Sequence, residues 1–149
     1  MKIWIRNRQR LIPLDRRKIK RLAQEILGRL GLPEAELSLS LVLDEEIRQL
    51  NRRYLGRDRP TNVLAFSMGE GEFGGLNPHL LGDVVISVET AKRQAKQAGL
   101  TEMEMIGLLL IHGVLHLAGY DHEGGGRGAR DMSFKQSELF DRYRPILKG

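Results

Sequence analysis

The sequence predicts a single α/β domain in which a mixed sheet of about four strands packs with about five helices. Two observations lead to this fold class. Short segments with apolar residues at every second position alternate along the chain with longer segments of helical periodicity. Several connections between the strands are also long enough to hold a helix, as parallel strands require. Because 149 residues is the length of one domain, we expect 1–149 to form a single unit with its own core.

The first half of the chain predicts two strand–helix pairs. Residues 2–6 alternate between apolar and polar side chains, and Asp15 then caps an amphipathic helix. Residues 37–43 form a second strand, with leucines on one face and serines on the other. Asp44 is expected to cap a second helix that extends to about residue 55.

The second half predicts two short strands separated by a glycine-rich loop, followed by three helices. Ser87 caps the first of these helices, and Thr101 with Glu104 forms a capping box for the second, which is largely apolar. The segments are, in order, a strand at 63–66, a loop at 69–82, a strand at 83–86, helices at 87–97 and 101–118, a glycine-rich turn at 124–128 and a helix that ends near 144.

Composition restricts both the chemistry and the compartment. The chain contains no cysteine, so disulfides and thiolate metal sites are excluded, and a metal would be bound through nitrogen or oxygen. Charges interrupt the N-terminal apolar run, which is not typical of a signal peptide, and no apolar stretch approaches the ~20 residues of a membrane span. We therefore expect a cytoplasmic protein with no membrane contact and no disulfide-linked partner.

Positive charge is concentrated in two places. The net charge is +5 and the isoelectric point is near 9.8, and residues 1–32 hold ten basic side chains against two acidic ones. A second cluster consists of Arg52, Arg53, Arg57 and Arg59. Clustered positive charge attracts nucleic acid, although a solvated helix face can have the same composition.

A metal site is predicted from the segment HGVLHLAGYDH at 112–122, which holds three of the four histidines. His112 and His116 are four residues apart on a predicted helix, so both rings project from one face. Gly119 can adopt the left-handed conformation that ends a helix, and this turn would bring His122 to the same point. Three imidazoles leave a fourth position for water, which is the layout of a catalytic site. We expect one zinc ion per chain, although imidazole also suits other divalent metals.

The spacing of these histidines resembles the pattern of metzincin zinc proteases, with one difference. Those enzymes carry a glutamate directly after the first histidine as the general base, whereas this chain has Gly113. Asp121 precedes the third histidine and is a candidate for orienting a ligand ring through a hydrogen bond. His79 stands alone in the predicted loop and is assigned no role. The sequence therefore identifies no catalytic side chain, and a metal-bound water is the expected reactant.

Three segments form a pattern that extends beyond the histidines: LNRRYLGRDRPTNVLAFS, LGDVVISVETAKRQA and HGVLHLAGYDH. In the same order, they resemble the motifs of the YbeY family of bacterial ribosome-maturation endoribonucleases, and they cover most of residues 49–122. The chain departs from the family's usual motif at Leu55, where an arginine is typical, and at Ala65, where a serine is typical.

The resemblance implies a single-domain α/β fold, a zinc ion on His112, His116 and His122, and single-strand-specific endoribonuclease activity. It also implies a role in 16S ribosomal RNA 3′-end maturation and in ribosome quality control. The implied partners are single-stranded ribosomal RNA, the ribosome and its assembly factors.

An RNA substrate agrees with the charge pattern, and a groove for RNA is expected near the metal. The residues expected to line it are Arg52, Arg53, Arg59, Thr61 and Asn62. Two other functions fit the same residues: a metal-dependent peptidase or other hydrolase with metzincin-like site geometry, or a non-catalytic ribosome-assembly protein with a structural metal. Gly113 counts against the peptidase, and the occupant of the fourth metal position would separate catalysis from structure.

Overall fold

The structure is a computed structural model that describes residues 1–67, 80–120 and 126–148. Within these ranges the chain forms a four-stranded sheet, five α-helices and one short 3₁₀ helix, which confirms the predicted mixture of strands and helices. In chain order the elements are β1 (Lys2–Asn7), α1 (Arg16–Arg29), β2 (Glu36–Val42), α2 (Asp44–Leu55), β3 (Val63–Ser67), β4 (Leu80–Ser87), α3 (Val88–Ala98), α4 (Glu102–Leu117), α5 (Gly126–Tyr143) and a 3₁₀ helix (Arg144–Leu147).

The sheet is mixed, as predicted, and its strand order is β1-β2-β4-β3. Strand β2 lies parallel to both β1 and β4, whereas β3 lies antiparallel to β4. Parallel neighbours need a crossover connection, and α1 supplies the crossover between β1 and β2. Strands β1 and β3 are therefore the two edges of the described sheet.

The main core lies between one face of the sheet and helices α1 and α4. Leu22 of α1 and Leu110 of α4 are fully buried there with Leu39 of β2. Helix α2 covers part of the opposite face, where Ile47 packs with Val85 of β4. Among the described helices, none alone is long and apolar enough to cross a membrane, and α3 with α4 reaches that length and apolarity only as a pair bent by 110°.

Three predicted helix caps are confirmed. The Asp15 carboxylate accepts backbone N–H groups at the start of α1, and the Ser87 hydroxyl does the same for α3. Thr101 and Glu104 form the predicted capping box of α4, in which each side chain accepts a hydrogen bond from the other residue's backbone. These local signals therefore locate the starts of three helices.

Asp44 is not the N-cap of α2, and this prediction was wrong. The helix begins at Asp44, and its N-cap is Leu43, which makes no side-chain capping bond. The Asp44 carboxylate instead accepts hydrogen bonds from the Ser87 and Thr90 hydroxyls and from the Arg93 guanidinium. Burial alone would raise the pKa of Asp44, but these hydrogen bonds hold it below its ordinary value. Partners distant in sequence thus replace the local cap.

Strand β4 begins at Leu80, three residues before the predicted start at 83, so the end of the predicted loop belongs to the strand. The physical reason is close packing at Gly82, where a Cβ atom would meet the Phe66 carbonyl oxygen and lie 2.7 Å from the Leu117 side chain. Glycine is therefore a strand residue here and does not mark a turn. The rest of the predicted loop, 69–79, lies outside the described residues.

Helix α5 begins at Gly126, so the described part of the predicted turn 124–128 is helical. The first N–H groups of a helix have no intrahelical acceptor, which makes glycine less costly there than in a helix interior. Residues 124 and 125 lie outside the described residues.

Candidate active site

His112 and His116 lie on one face of α4, one turn apart, and both are half-buried. This face borders a cleft of about 550 Å³, whose other walls are β3, the end of α2 and the connection between them. The residues that line the cleft are Asn51, Leu55, Arg57, Arg59, Pro60, Thr61, Asn62, Val63, Leu64, Ala65, Phe66, His112, Gly113 and His116.

The ring of His112 is oriented by Gln136 of α5. Its Nδ1 atom lies 2.7 Å from the Gln136 side-chain oxygen, which can only accept a hydrogen bond. With the amide oxygen facing the ring, the contact fits the tautomer that carries its proton on Nδ1 and can bind a metal through Nε2. A side chain of the neighbouring helix α5 thus contacts one predicted ligand and orients its ring.

The turn predicted at Gly119 is confirmed. Gly119 has a φ of +100° and lies directly after the C-cap of α4. Its N–H donates to the His116 carbonyl, and the Tyr120 N–H donates to the Leu115 carbonyl, so both of these carbonyls near the helix end are satisfied. The chain therefore leaves the helix immediately beyond His116.

The third predicted ligand, His122, lies outside the described residues, as do Asp121 and the isolated His79. Across 1–67, 80–120 and 126–148, no group of three or more His, Cys, Asp or Glu side chains could hold a metal ion. The described part of the cleft contributes two imidazoles on one helix face, and these are nitrogen donors of the kind that zinc binds.

Gly113 lies between the two histidines and packs closely against the sheet. A Cβ atom at this position would lie 2.8 Å from Val84 Cγ1 and 3.5 Å from Val63 Cγ2. Real Cβ atoms essentially never approach within 3.0 Å, so a larger residue would push the helix and the sheet apart. The position at which metzincins carry their glutamate therefore requires a glycine here for the packing of α4 on the sheet.

The predicted RNA-binding residues fall into two groups. Arg59, Thr61 and Asn62 line the cleft with the histidines. The described lining does not include Arg52 or Arg53, which are exposed on the last turn of α2. The Arg53 guanidinium lies 5.3 Å from the centre of the Tyr54 ring, an arrangement typical of a cation–π contact.

Asn51 is a cleft residue that the sequence interpretation did not include. It is only 3% exposed, and its side-chain amide donates to the Arg59 backbone carbonyl at 2.9 Å. The connection that carries Arg57 and Arg59 is therefore tied to α2. Arg57 also lines the cleft, although it was not among the predicted groove residues.

Asn62 is held from two sides. Its side-chain amide donates to the Gln94 side-chain oxygen of α3 at 3.1 Å, and its backbone carbonyl accepts from the Ser87 backbone N–H at 3.0 Å. These contacts link the wall of the cleft to β4 and α3. Asn62 therefore has a structural role in addition to its predicted contact with substrate.

A sequence signal for Asn51 and Gln136 exists in the helical periodicity. Asn51 is four residues after the buried Ile47 on α2, and Gln136 is four residues after the buried Met132 on α5. An amide in an otherwise apolar helical stripe indicates a buried polar contact, since an unsatisfied amide would be costly there. The signal does not identify the partner.

Comparison with known proteins agrees with the fold and the motifs. The sequence model of the family described as Endoribonuclease YbeY matches residues 4–144. The Endoribonuclease YbeY of Geobacter sulfurreducens is 51% identical over 141 residues, which cover 94% of each chain. That of Aquifex aeolicus is 44% identical over 139 residues, which cover 93% of this chain and 88% of the relative.

A solved structure is also similar over nearly the whole chain. It is the solution structure of TM1509 from Thermotoga maritima, with a TM-score of 0.64 and 26% sequence identity, and the match covers 99% of this chain and 96% of that one. Both the sequence and the fold are therefore matched over nearly the whole chain. The chain belongs to the Endoribonuclease YbeY family.

Proposed function

We propose that this protein is a zinc-dependent endoribonuclease that cleaves single-stranded RNA in the cleft beside α4. The observation that carries this proposal is that His112 and His116 share one cleft with Arg57 and Arg59, in a member of an endoribonuclease family. Imidazoles suit a catalytic metal, and guanidinium groups suit the phosphates of RNA. The relatives are named for endoribonuclease activity, which supports the same chemistry here.

The residues that would hold the metal are His112, His116 and His122, with Asp121 orienting one of the rings. The two described rings fit a metal because both line one cleft and because Gln136 contacts Nδ1 of His112, which leaves Nε2 to bind the ion. A bound zinc ion would act as a Lewis acid on a phosphoryl oxygen of the substrate. Imidazole also binds other divalent metals, which could take the place of zinc at this site.

The protein's own side chains would position the RNA. Arg57 and Arg59 would bind backbone phosphates, and Thr61 and Asn62 offer polar groups to sugar or base atoms. RNA carries its own 2′-hydroxyl next to every phosphodiester, so cleavage depends less on a protein base than peptide hydrolysis does. This difference fits a site in which Gly113 occupies the position of the protease glutamate.

We further propose that the substrate is ribosomal RNA, with roles in 16S ribosomal RNA 3′-end maturation and in ribosome quality control. The support for this is the motif resemblance and the membership of the family. The ribosome and its assembly factors would be partners, and a cytoplasmic location follows from the location of ribosome assembly.

The direct experiment compares cleavage of single-stranded and duplex ribosomal RNA fragments by purified protein before and after chelation. We expect cleavage of the single-stranded fragment only, loss of cleavage after chelation, and recovery when zinc is restored. Cleavage that persists at the original rate after the metal has been removed would overturn the proposal.

The arginines provide a second test with a matched control. Arg59→Gln should weaken binding of single-stranded RNA. It should also reduce the slope of log affinity against log salt concentration by about one, the value for one lost phosphate contact. Arg52→Gln is the control, because the residue is exposed but does not belong to the described lining of the cleft. Equal losses in the two variants would contradict a specific role for the cleft arginine and would favour the wider groove that includes Arg52 and Arg53.

The two alternative functions have distinct outcomes in the same experiments. A peptidase would hydrolyse unstructured peptides in a reaction that stops on chelation. A structural metal would give a large fall in melting temperature on chelation, while RNA binding by the refolded metal-free protein would survive without any cleavage.

A further inference from the structure

A second surface with the chemistry to bind nucleic acid lies on the sheet face opposite α4. Side chains of β1 alternate, so that Ile3 and Ile5 pack into the core while Lys2, Trp4 and Arg6 point away from it. In the parallel register, residues that lie opposite each other share a face. Trp4 therefore lies beside Ser38 of β2, and Arg6 lies beside Ser40.

Helix α2 covers the β3 and β4 side of this face and reaches the end of β2 at Val42. It packs through Ile47 on Leu64, Val85 and Val42. On the β1 side, Trp4 is 55% exposed, Lys2 and Arg6 are exposed, and Ser38 and Ser40 are half-buried. Trp4 thus presents a large aromatic ring to solvent beside small hydroxyl side chains.

We propose that this surface, which we call the β1 face (Lys2, Trp4, Arg6, Ser38 and Ser40), binds single-stranded RNA. A base can stack on the Trp4 ring, the basic side chains can contact phosphates, and the serine hydroxyls can bond to base or sugar atoms. An exposed aromatic ring between basic side chains on an open sheet is a common way to bind single strands. The inference rests on the proposed function only for the identity of its partner.

The basic side chains that would attract RNA phosphates are distributed unevenly along β1. Glu36 lies opposite Lys2, which reduces the positive charge at the start of the strand. Arg6 lies opposite an uncharged serine, and the exposed Arg8 and Arg10 follow it in sequence, with Arg8 paired to Glu46 at 3.1 Å. The positive charge is therefore concentrated at the carboxyl end of β1, and a phosphate backbone is expected to follow that direction.

The β1 face is distinct from the cleft that contains the histidines. Strand β3 borders the cleft at one edge of the sheet, and β1 is the opposite edge, three strand spacings or about 14 Å away. The histidines project from α4, which packs on the face opposite Trp4, and the cleft extends from there around β3 to the end of α2. An RNA that contacts both surfaces must span the width of the sheet, so long single strands should bind more tightly than short ones.

Trp4 makes this proposal directly measurable because it is the one tryptophan in the 149-residue chain. The full-length protein would be titrated with single-stranded oligouridylate of about 12 nucleotides, within the usual range of single-strand site sizes. We expect saturable quenching of the tryptophan fluorescence, and no quenching by a duplex of the same length. Binding of labelled oligouridylate should weaken at least about fivefold in Trp4→Ala. This is the loss in affinity expected when the weakest typical base–aromatic stacking contact is removed.

Three further variants make the result specific. Trp4→Phe keeps an aromatic ring and should retain most of the affinity, and Arg6→Gln should lower the salt dependence without loss of folding. Phe134→Ala is the matched control, because Phe134 is an aromatic residue on α5 that is 72% exposed. Its removal should leave both quenching and affinity unchanged.

The outcomes separate this inference from the proposed function. His116→Ala should retain the quenching by oligouridylate even where cleavage is lost, since the β1 face uses no cleft residue. Absent quenching, or equal RNA affinity in the wild type and Trp4→Ala, would overturn the inference and leave the cleft mechanism intact. Fluorescence that changes with protein concentration alone, together with a dimer mass, would show that β1 pairs with a second copy and would also overturn it.

Discussion

Single residues set the geometry on each side of the two described histidines. Gln136 holds the His112 ring from α5, and Gly113 lets α4 approach the sheet closely enough for both rings to face the cleft. Neither residue has the chemistry of a nuclease. Their effects should therefore appear in metal affinity and in stability, which can be measured without a substrate.

Replacing Gln136 tests the orientation of His112. Gln136→Leu removes the contact with Nδ1 and holds the ring less firmly, so we expect zinc affinity to fall by about 10- to 100-fold. Competition with a chromophoric chelator would measure this loss. Gln97→Leu, an exposed amide on α3, is the control, and an unchanged zinc affinity in Gln136→Leu would contradict the role of this contact.

Replacing Gly113 tests the close packing of α4 on β4. Gly113→Ala places a methyl group 2.8 Å from Val84 Cγ1, and we expect a loss of about 1–3 kcal/mol in the free energy of unfolding. Urea denaturation measures it, and Val84→Ala in the same chain should recover part of the loss. Gly28→Ala is the control, because a Cβ there meets nothing within 4 Å and should be neutral or stabilising. Equal effects at the two glycines would rule out the contact.

At the scale of elements, α4 carries the candidate site and is anchored at its N-terminus. Glu104 belongs to the capping box and also accepts a hydrogen bond from the Arg144 guanidinium at 2.6 Å, while its side chain is only 5% exposed. The backbone hydrogen bond from Thr101 lowers the pKa of Glu104 most, and Arg144 lowers it further against the opposing effect of burial. The start of α4 is thereby tied to the C-terminal segment.

The lowered pKa of Glu104 gives stability a defined pH dependence. The charged carboxylate stabilises the fold above the ordinary glutamate pKa of 4.5, and this contribution is lost as the pH falls through the lower value in the folded protein. Glu104→Gln should unfold more easily at neutral pH by about 1.5–3 kcal/mol, the range for a hydrogen bond to a charged group. Urea denaturation at a series of acid pH values should show the difference in unfolding free energy between the wild type and Glu104→Gln becoming smaller as the pH falls.

Glu102→Gln is the control for this experiment, since Glu102 lies in the same first turn and is more exposed. We expect it to change stability little at any pH. A gap between the wild type and Glu104→Gln that stays constant through the acid range would mean that ionisation of Glu104 does not stabilise α4.

At the scale of the whole molecule, local patterns predicted the elements well, because each pattern reports on a short stretch of chain. The capping box at Thr101 and the turn at Gly119 depend on neighbours within a few residues, and both predictions are confirmed. The alternation in β1 and β2 likewise reports directly on which side of the sheet is buried.

Contacts between distant segments could not be predicted in this way. Asp44 has the local signature of a cap, but its carboxylate accepts hydrogen bonds from Ser87 at the end of β4 and from Arg93 of α3. Gly82 is a residue type typical of loops, but it packs inside a strand. The contact of Gln136 with His112 spans two helices, and the position of Trp4 on an open face depends on the strand order. Each of these features is a property of the assembled fold.

The central claim is that the histidines of the 112–122 segment bind a metal on which RNA cleavage depends. The most direct measurement is the zinc content and the cleavage rate of single-stranded ribosomal RNA, determined on the same preparations of wild type, His116→Ala and the control His79→Ala. We expect one zinc per chain and full cleavage in the wild type and the control, and loss of both in His116→Ala. A metal-free His116→Ala protein that cleaves at the wild-type rate would contradict the claim.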